Sequence, residues 1–412
     1  MRRVLVVLAV LVLVATGCSG PGEVRVDVGP EVVVADEVTH VKVTGLGGGD
    51  RVEVVAEATD RAGKNWRASA SYEADDVGVV DLDRAAPVGG SYGGVDGMGL
   101  FWAMNPPDGD PDQQFYLPEV NGEGPHAVVR ISVRDGAKTL ATATQTRRWA
   151  TDGVTDRALT LAKDQVVGGL FLPKPDGKRH PAVLLLGGSE GGMSQALTAA
   201  LLASHGFPAL TVAYFGAPGL PKALKEIPLE YFRTAASILA SQPGVDRAHV
   251  VAFGPSRGAE AALLIAENFP TLIHGAILYA PSAKVVAGFP DYLTSAWTLH
   301  GEPLATDDLI PVDRVSGPVL TVAGTADGIW PSAPAAQLIV TELDAAENPY
   351  PHKALVYPGA GHNVGTYPYM PQGTRVYEPA ADHTAYLGGD RPTNAAAQAD
   401  AWPKVLALLR NL

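Results

Sequence analysis

The segment Gly254-Pro255-Ser256-Arg257-Gly258 carries residue types that suit nucleophilic attack on a carbonyl carbon. It fits the pattern G-x-S-x-G and lies between the apolar run Val250 to Phe253 and a segment with helical character. A serine on such a sharp strand-to-helix turn has an exposed hydroxyl, and the flanking glycines leave room for the turn. The sequence therefore predicts that Ser256 is a nucleophile.

A serine hydroxyl needs a general base, and the base needs a carboxylate that orients it. Asp327 follows the apolar run Val319 to Ala323, and His362 follows Leu355 to Tyr357 through a glycine-rich turn. Serine, acid and histidine thus occur in the chain order that is typical of G-x-S-x-G sites. We predict that Asp327 and His362 complete a catalytic triad with Ser256.

Other acids and histidines fit these two roles less well. Asp307, Asp308 and Asp313 precede an apolar run instead of following one. His352 precedes the last predicted strand, and His383 lies in a polar segment. These residues are weaker candidates because the acid and the base lie on loops that follow strands.

The glycine-rich loop Gly187 to Gly192 follows the apolar run Ala182 to Leu186. In sites of this kind, the N–H of the residue after the nucleophile and an N–H from such a loop bind the oxyanion. We therefore expect the donors to be Arg257 and Ser189. Two alternatives stay open: a phosphate-binding loop, which would lack the Lys-Ser/Thr ending of a P-loop, and a glycine turn that serves packing alone.

Alternating strands and helices would have to position these loops. The predicted strands are Ala182 to Leu186, Ala209 to Ala213, Val250 to Phe253, Ala276 to Tyr279, Val319 to Ala323 and Ala354 to Tyr357. The predicted helices are Gln195 to Ser204, Leu229 to Ser241, Gly258 to Asn268, Ala333 to Leu343 and Ala395 to Leu409. The alternation predicts a mostly parallel sheet with helices on both faces. Together with the G-x-S-x-G turn, it predicts an α/β-hydrolase domain over residues 155–412.

The preceding part of the chain has the period of β-strands. Val129, Ile131 and Val133 alternate with polar neighbours, as in a half-buried strand. No helical segment of useful length is evident here, so residues 31–150 are predicted to form an all-β sandwich of immunoglobulin-like type.

The pattern of the first residues is typical of a targeting segment. Arg2 and Arg3 precede the apolar run Val4 to Ala15, and the small residues Thr16-Gly17 then lead into Cys18. The run has about a dozen residues, fewer than a membrane-spanning helix needs. Residues 1–18 are therefore predicted to be a lipoprotein signal peptide that ends in a lipobox, with a linker over residues 19–30. Cys18 would be lipidated and would anchor an exported protein to the cell membrane, although an ordinary signal peptide is the alternative.

Composition narrows the possible functions. With 412 residues, 46% hydrophobic and 18% charged, the chain fits two globular domains. The net charge of −13 comes without a run of Lys and Arg, which argues against nucleic-acid binding. No cluster of His, Cys and acidic residues has metal-ligand spacing, so we expect no metal and no cofactor.

Long stretches of the chain resemble the family of acyl-CoA thioesterases and bile acid-CoA:amino acid N-acyltransferases. They are Asp36 to Leu46 (DEVTHVKVTGL), Asn65-Trp66, Ala74 to Met104, the loop GGSEGG, Ala213 to Phe232, GPSRGAEAALLIA, GTADGIWPS, YPGAGH and Ala395 to Trp402 (AAAQADAW). The resemblance implies a β-sandwich domain followed by an α/β-hydrolase domain that cleaves acyl-CoA thioesters. It places the family's nucleophile, acid and base at Ser256, Asp327 and His362.

The resemblance also bears on the acceptor of the acyl group. Family members that transfer acyl groups to amino acids carry cysteine as the nucleophile, so Ser256 implies hydrolysis by water. Arg257 stands where the family usually has lysine, and Ala326 where an acidic residue is frequent. The export signal leaves two other hypotheses open: an exported carboxylesterase or acyltransferase that acts on a cell-envelope acyl ester, and a surface binding protein without activity.

Overall fold

A computed structural model describes residues 23–122, 124–378 and 381–412. The predicted signal peptide, with the lipidation site Cys18, lies outside the described residues. Among the residues described, no helix is both long enough and apolar enough to cross a membrane.

Strands dominate the chain up to residue 148. They are β1 (Arg25–Asp27), β2 (Val32–Val34), β3 (Lys42–Thr44), β4 (Arg51–Thr59), β5 (Asn65–Glu73), β6 (Val80–Asp81), β7 (Gly89–Gly90), β8 (Glu119–Asn121), β9 (Gly124–Asp135) and β10 (Lys138–Arg148). The helix α1 (Gly99–Trp102) and a 3₁₀ turn (Pro111–Gln113) interrupt them. β1 falls within the predicted linker, residues 19–30, and pairs with β3, so the first sheet begins inside that segment.

These strands form two sheets around one core. The smaller sheet has the order β1-β3-β6, and the larger has the order β2-β10-β9-β4-β5-β7, with β8 paired to β9. Val43 of the smaller sheet and Val54 of the larger are buried in the same apolar cluster. In β9, Val129 and Ile131 are buried while Arg130 is exposed, which is the predicted alternation. The immunoglobulin-like type of this region and the boundary at residue 150 stay predictions.

Strands and helices alternate in the rest of the chain. The strands are β11 (Thr155–Leu159), β12 (Val167–Leu172), β13 (His180–Leu186), β14 (Ala209–Ala213), β15 (Ile227–Pro228), β16 (Val245–Pro255), β17 (Ala276–Tyr279), β18 (Trp297–Leu299), β19 (Glu302–Pro303), β20 (Val319–Gly324), β21 (His352–Tyr357), β22 (Arg375–Glu378) and β23 (His383–Tyr386). The helices are α2 (Leu161–Asp164), α3 (Ala196–Ser204), α4 (Leu229–Ala240), α5 (Arg257–Asn268), α6 (Ser332–Ala345) and α7 (Arg391–Arg410), with a 3₁₀ turn at His362–Val364.

Eight of these strands form one sheet, in the order β11-β12-β14-β13-β16-β17-β20-β21. The pairs β11–β12 and β12–β14 are antiparallel, and every later pair is parallel. This arrangement is α/β-hydrolase-like, which confirms the predicted fold of the second half. Because the parallel strands run the same way, their carboxyl ends share one edge, where ligands bind in such sheets.

Both faces of this sheet are covered by helices, as predicted. Side chains of a strand point alternately to the two faces, so a strand buried on both is apolar throughout. In β13, Val183 and Leu185 pack in the same cluster as α3 and α7. Leu184 and Leu186 pack in the other cluster, with α4 and α5. The first of these clusters also contains the core of the N-terminal sheets, so the two parts of the chain share apolar packing.

Candidate active site

Ser256 lies on a tight turn between β16 and α5. Its backbone has φ 55° and ψ −121°, a combination that a non-glycine residue rarely adopts. The backbone N–H of Ser256 donates to the carbonyl of Tyr279, 2.8 Å away, which holds the turn against the end of β17. Such a strained backbone persists only where its surroundings impose it, and it is typical of a nucleophile elbow.

The glycines of the motif are required by close packing. A Cβ on Gly254 would lie 2.3 Å from the carbonyl carbon of Gly258. A Cβ on Gly258 would lie 2.3 Å from the oxygen of Leu186. The glycine-rich loop also adjoins the serine, since a Cβ on Gly188 would lie 3.4 Å from the Cβ of Ser256. The turn and the loop of β13 are therefore packed backbone against backbone beside the serine.

Asp327, just after β20, is held by four contacts. Its Oδ2 lies 2.8 Å from Nδ1 of His362 and accepts a hydrogen bond of 2.5 Å from the Ser332 hydroxyl. Its Oδ1 accepts hydrogen bonds from the N–H groups of Ile329 (2.9 Å) and Trp330 (3.2 Å). Its side chain is only 2% exposed. The carboxylate thus has one orientation, and that orientation faces the histidine.

His362 follows β21 and lies mostly within the protein, with 11% of its side chain exposed. The Trp330 ring packs edge-on against the imidazole at a centroid distance of 5.4 Å. The Trp330 indole N–H donates to the carbonyl of Ala280, 3.0 Å away. With Nδ1 directed at Asp327, Nε2 is the ring nitrogen left to exchange a proton with a nucleophile.

The structure brings the predicted acid and base into direct contact and places the predicted nucleophile on the same edge of the sheet. Within the described residues, no hydrogen bond joins the Ser256 hydroxyl to the His362 ring. The chain just after His362 nevertheless packs beside the elbow, since a Cβ on Gly365 would lie 3.3 Å from the Cβ of Pro255. Catalytic hydrogen bonds are often long before a substrate binds, so this geometry suits a serine site.

The two segments that carry the predicted oxyanion donors both adjoin Ser256. Arg257 is the first residue of α5, where backbone N–H groups have no partner within the helix. In the glycine-rich loop, the N–H of Gly188 donates to Oε1 of Glu190 (3.0 Å), and the Tyr214 hydroxyl donates to the carbonyl of Gly187 (2.5 Å). These bonds hold the loop next to the elbow. The donor role of Ser189 stays a prediction.

A buried charge cluster beneath the elbow was not predicted from the sequence. Nη1 of Arg257 lies 3.0 Å from Oε2 of Glu260, and both side chains are almost fully buried. Glu260 also accepts hydrogen bonds of 2.7 Å from the Val286 N–H and the Trp297 indole N–H. Burial raises the pKa of Glu260, and Arg257 and these two donors lower it. Burial is the larger effect, so the pKa is raised to about 7. The sequence did contain a signal for this cluster, because Arg257 and Glu260 are oppositely charged residues at i and i+3 in an otherwise apolar helix.

The guanidinium of Arg257 also connects the elbow to a neighbouring loop. Its Nη2 donates to the carbonyls of Val286 (2.9 Å) and Ala287 (2.8 Å). The residue that is expected to supply an oxyanion N–H therefore carries a side chain that anchors the segment after β17. This contact spans about thirty residues of chain, and local sequence patterns do not reveal contacts of that kind.

A second carboxylate near His362 was also missed. Glu378, at the end of β22, lies 3.5 Å from Nε2 of His383. The pKa of Glu378 is raised, chiefly by burial and also by the nearby Glu190 carboxylate. The imidazoles of His383 and His362 act in the opposite direction and lower this pKa. The hairpin of β22 and β23 therefore borders the site.

Known proteins match this chain over most of its length. Residues 36–160 match the family model described as the acyl-CoA thioester hydrolase/BAAT N-terminal region, where BAAT is bile acid-CoA:amino acid N-acyltransferase. Residues 227–296 and 293–412 match the corresponding C-terminal model. The chain is 30% identical to mouse acyl-coenzyme A thioesterase 6, over 90% of this chain and 92% of that protein.

Two further proteins illustrate the range of similar chains. Mouse acyl-coenzyme A amino acid N-acyltransferase 1 is 28% identical, over 92% of this chain and 96% of that protein. A solved dienelactone hydrolase-like promiscuous phosphotriesterase from metagenomic libraries aligns with a TM-score of 0.41 at 18% identity, over 63% of this chain and 99% of that one. The family models and the full-length similarity to the thioesterase lead to one conclusion: the chain belongs to the acyl-CoA thioester hydrolase and bile acid-CoA:amino acid N-acyltransferase family.

Proposed function

We propose that the protein is a serine thioesterase that hydrolyses fatty acyl-CoA, or a related acyl thioester, through an acyl-serine intermediate. The contact of 2.8 Å between Asp327 and His362 carries this proposal, because it orients an imidazole on the same edge of the sheet as Ser256. Family membership supports thioester hydrolysis or acyl transfer as the reaction. Serine as the nucleophile favours water as the acceptor.

The first half of the reaction acylates the serine. Nε2 of His362 accepts the hydroxyl proton of Ser256 while the serine oxygen bonds to the thioester carbonyl carbon. The N–H groups of Arg257 and Ser189 stabilise the negative oxygen of the tetrahedral intermediate. The C–S bond then breaks and the thiolate leaves. The proton on His362 passes to the thiolate or to solvent, so the imidazole is neutral again.

The second half releases the acid. His362 accepts a proton from a water molecule whose oxygen attacks the acyl carbon. The C–O bond to Ser256 breaks, and the proton returns to the serine oxygen. Asp327 orients the imidazole and stabilises its protonated form throughout. No step requires a metal or a cofactor beyond the CoA of the substrate.

We expect the full-length protein to release thiol from fatty acyl-CoA substrates. For one acyl chain, kcat/KM should exceed that for the p-nitrophenyl ester by at least about tenfold, because CoA contacts would add binding in the transition state. A panel of acyl-CoA chain lengths, assayed by thiol detection beside the matching esters, measures this ratio. Turnover of the esters with no thiol release from any acyl-CoA would contradict the proposal.

An exported carboxylesterase or acyltransferase for a cell-envelope acyl ester is the second candidate. The targeting pattern of the first eighteen residues favours it, since CoA thioesters are chiefly intracellular. The same assay separates the candidates, because this enzyme would prefer the ester series. Adding glycine or another amine acceptor and measuring the acylated product distinguishes transfer from hydrolysis.

We also propose that Cys18 is lipidated and holds the protein at the exported face of the cell membrane. In a bacterial host, the full-length chain should incorporate labelled palmitate and fractionate with membranes. Cys18→Ala should lose the label and shift the protein out of the membrane fraction, because the anchor needs the thiol. A wild-type chain without label would contradict the lipid anchor and leave the ordinary signal peptide.

A further inference from the structure

Two amide side chains of α7 hold the residues on either side of His362. Oδ1 of Asn394 accepts a hydrogen bond of 2.7 Å from the N–H of Gly361. Nε2 of Gln398 donates a hydrogen bond of 2.7 Å to the carbonyl of Asn363. The backbone is therefore restrained immediately before and immediately after the histidine.

Both amides are buried polar groups with a specific geometry. Asn394 is 3% exposed and Gln398 is 2% exposed. They are four residues apart, so they lie on the same face of the helix, one turn from each other. A buried amide is costly unless it is hydrogen-bonded, so these side chains lock to the partners that they find. The partners are backbone groups of the histidine loop.

The helix that carries them is itself well fixed. The Asp390 carboxylate caps its start by accepting a hydrogen bond of 2.8 Å from the Thr393 N–H. Farther along, Trp402 is buried and its indole N–H donates to Asp36, 2.5 Å away, in the N-terminal part of the chain. Val405 and Leu409 are fully buried in the core. A helix held in this way is a rigid base for the loop.

Asn394 also reaches the segment that contacts the acid. Its Nδ2 donates a hydrogen bond of 3.4 Å to the carbonyl of Gly388, and Gly388 forms a β-bridge with Asp327. His362 contacts the same segment, since its N–H donates to the carbonyl of Leu387, 2.6 Å away. The acid loop, the base loop and α7 are thus joined through residues 387 and 388.

We propose that Asn394 and Gln398 are positioning residues that set the orientation of the His362 ring relative to the Ser256 hydroxyl. The proposal rests on the proposed role of His362 as the base. Asp327 fixes the ring at Nδ1, and the direction of Nε2 then depends on where the backbone places the Cα of His362. A displacement of about 1 Å in such a site can reduce the rate about 100-fold.

The test is a comparison of two glutamines that each donate from a buried amide to backbone carbonyls. Gln398→Met removes the donor to Asn363 and keeps the size of the side chain. Gln145→Met is the control, because Gln145 is 1% exposed and donates to the carbonyls of Val28 (2.9 Å) and Pro30 (3.1 Å) in the N-terminal part of the chain. Its Oε1 also accepts from Thr39 and Arg147, so this variant removes at least as many buried hydrogen bonds as Gln398→Met. Tm is measured for both variants. Turnover and KM are then measured at a temperature well below the lower of the two Tm values.

We expect Gln398→Met to lower kcat about 10- to 100-fold with KM within about twofold of wild type. Labelling of Ser256 by a fluorophosphonate should slow to a similar extent, since it uses the same base. Asn394→Ala should behave in the same way. Gln145→Met should lower the Tm and leave kcat within about twofold of wild type.

Several outcomes would overturn the inference. Wild-type kcat in both Gln398→Met and Asn394→Ala would show that the amides serve stability alone, as would an equal fall of kcat in Gln145→Met. If Gln398→Met fails to fold, Gln398→Asn replaces it as the test variant. Its amide is one methylene shorter and cannot reach the carbonyl of Asn363 in the same way, so the same fall in kcat is expected. An inactive Ser256→Ala beside fully active Gln398→Met and Asn394→Ala refutes only the positioning role, whereas an active Ser256→Ala refutes the proposed function itself.

Discussion

Replacing Ser256 with alanine is expected to reduce thioester turnover by at least about 10³-fold, and by up to about 10⁶-fold. The alanine has no oxygen that could bond to the acyl carbon, so the acyl-enzyme cannot form. Serine and alanine both have a Cβ, so the substitution leaves the backbone strain at this position unchanged. The fold should therefore persist with a Tm close to that of wild type. Thiol release under saturating substrate, with Tm measured on the same sample, checks both parts.

The matched control for this variant is a serine elsewhere in the same domain. Ser237 lies on α4, and its hydroxyl donates to the carbonyl of Arg233 at an exposed position. Ser237→Ala should keep wild-type turnover within about twofold. Stopping the wild-type reaction with acid should also leave an acyl group on the peptide that contains Ser256. Residual turnover above about a tenth of wild type in Ser256→Ala would rule this serine out as the nucleophile.

Asp327→Asn is expected to lower kcat roughly 10³- to 10⁴-fold with little change in KM. In wild type, Oδ2 of Asp327 faces the Nδ1 of His362 and the hydroxyl of Ser332, which both can donate. If the amide nitrogen of asparagine took the place of Oδ2, it could not accept a hydrogen bond from either of these groups, because it is itself a donor. The ring would then favour the wrong tautomer or turn away, and Nε2 could no longer accept the serine proton.

The control for the acid is one of its rivals from the sequence. Asp307 is exposed and has φ 68°, a conformation that asparagine adopts readily. Asp307→Asn should therefore retain kcat within about twofold of wild type. Parallel measurement of kcat, KM and Tm for the two variants decides the assignment. A large loss of kcat in Asp307→Asn together with an active Asp327→Asn would show that the acid had been misplaced.

Most of the large sheet could be predicted from the sequence. β13, β14, β17 and β20 are buried on both faces for most of their length, as is the later part of β16, and all appear as largely apolar runs. β21, at the edge of the sheet, is buried only at Leu355, but its short apolar run was still recognisable. β11 and β12 were not predicted. β12 contains Gly168 and Gly169, which weaken a strand pattern, and Gly168 is needed because a Cβ there would lie 2.5 Å from the oxygen of Thr211. That reason is visible only once β14 lies beside it.

By itself, the sequence determined which residues are candidates for the chemistry, because each lies in a short pattern of strand, turn and glycine that neighbouring residues impose. Ser256, Asp327 and His362 all follow apolar runs that had to become strands of one sheet. The tertiary structure alone decided how these loops are held. Ser332, Asn394 and Gln398 contact them, and the last two do so across more than thirty residues of chain. Such hydrogen bonds depend on which strands and helices become neighbours, and no local pattern of residues records that.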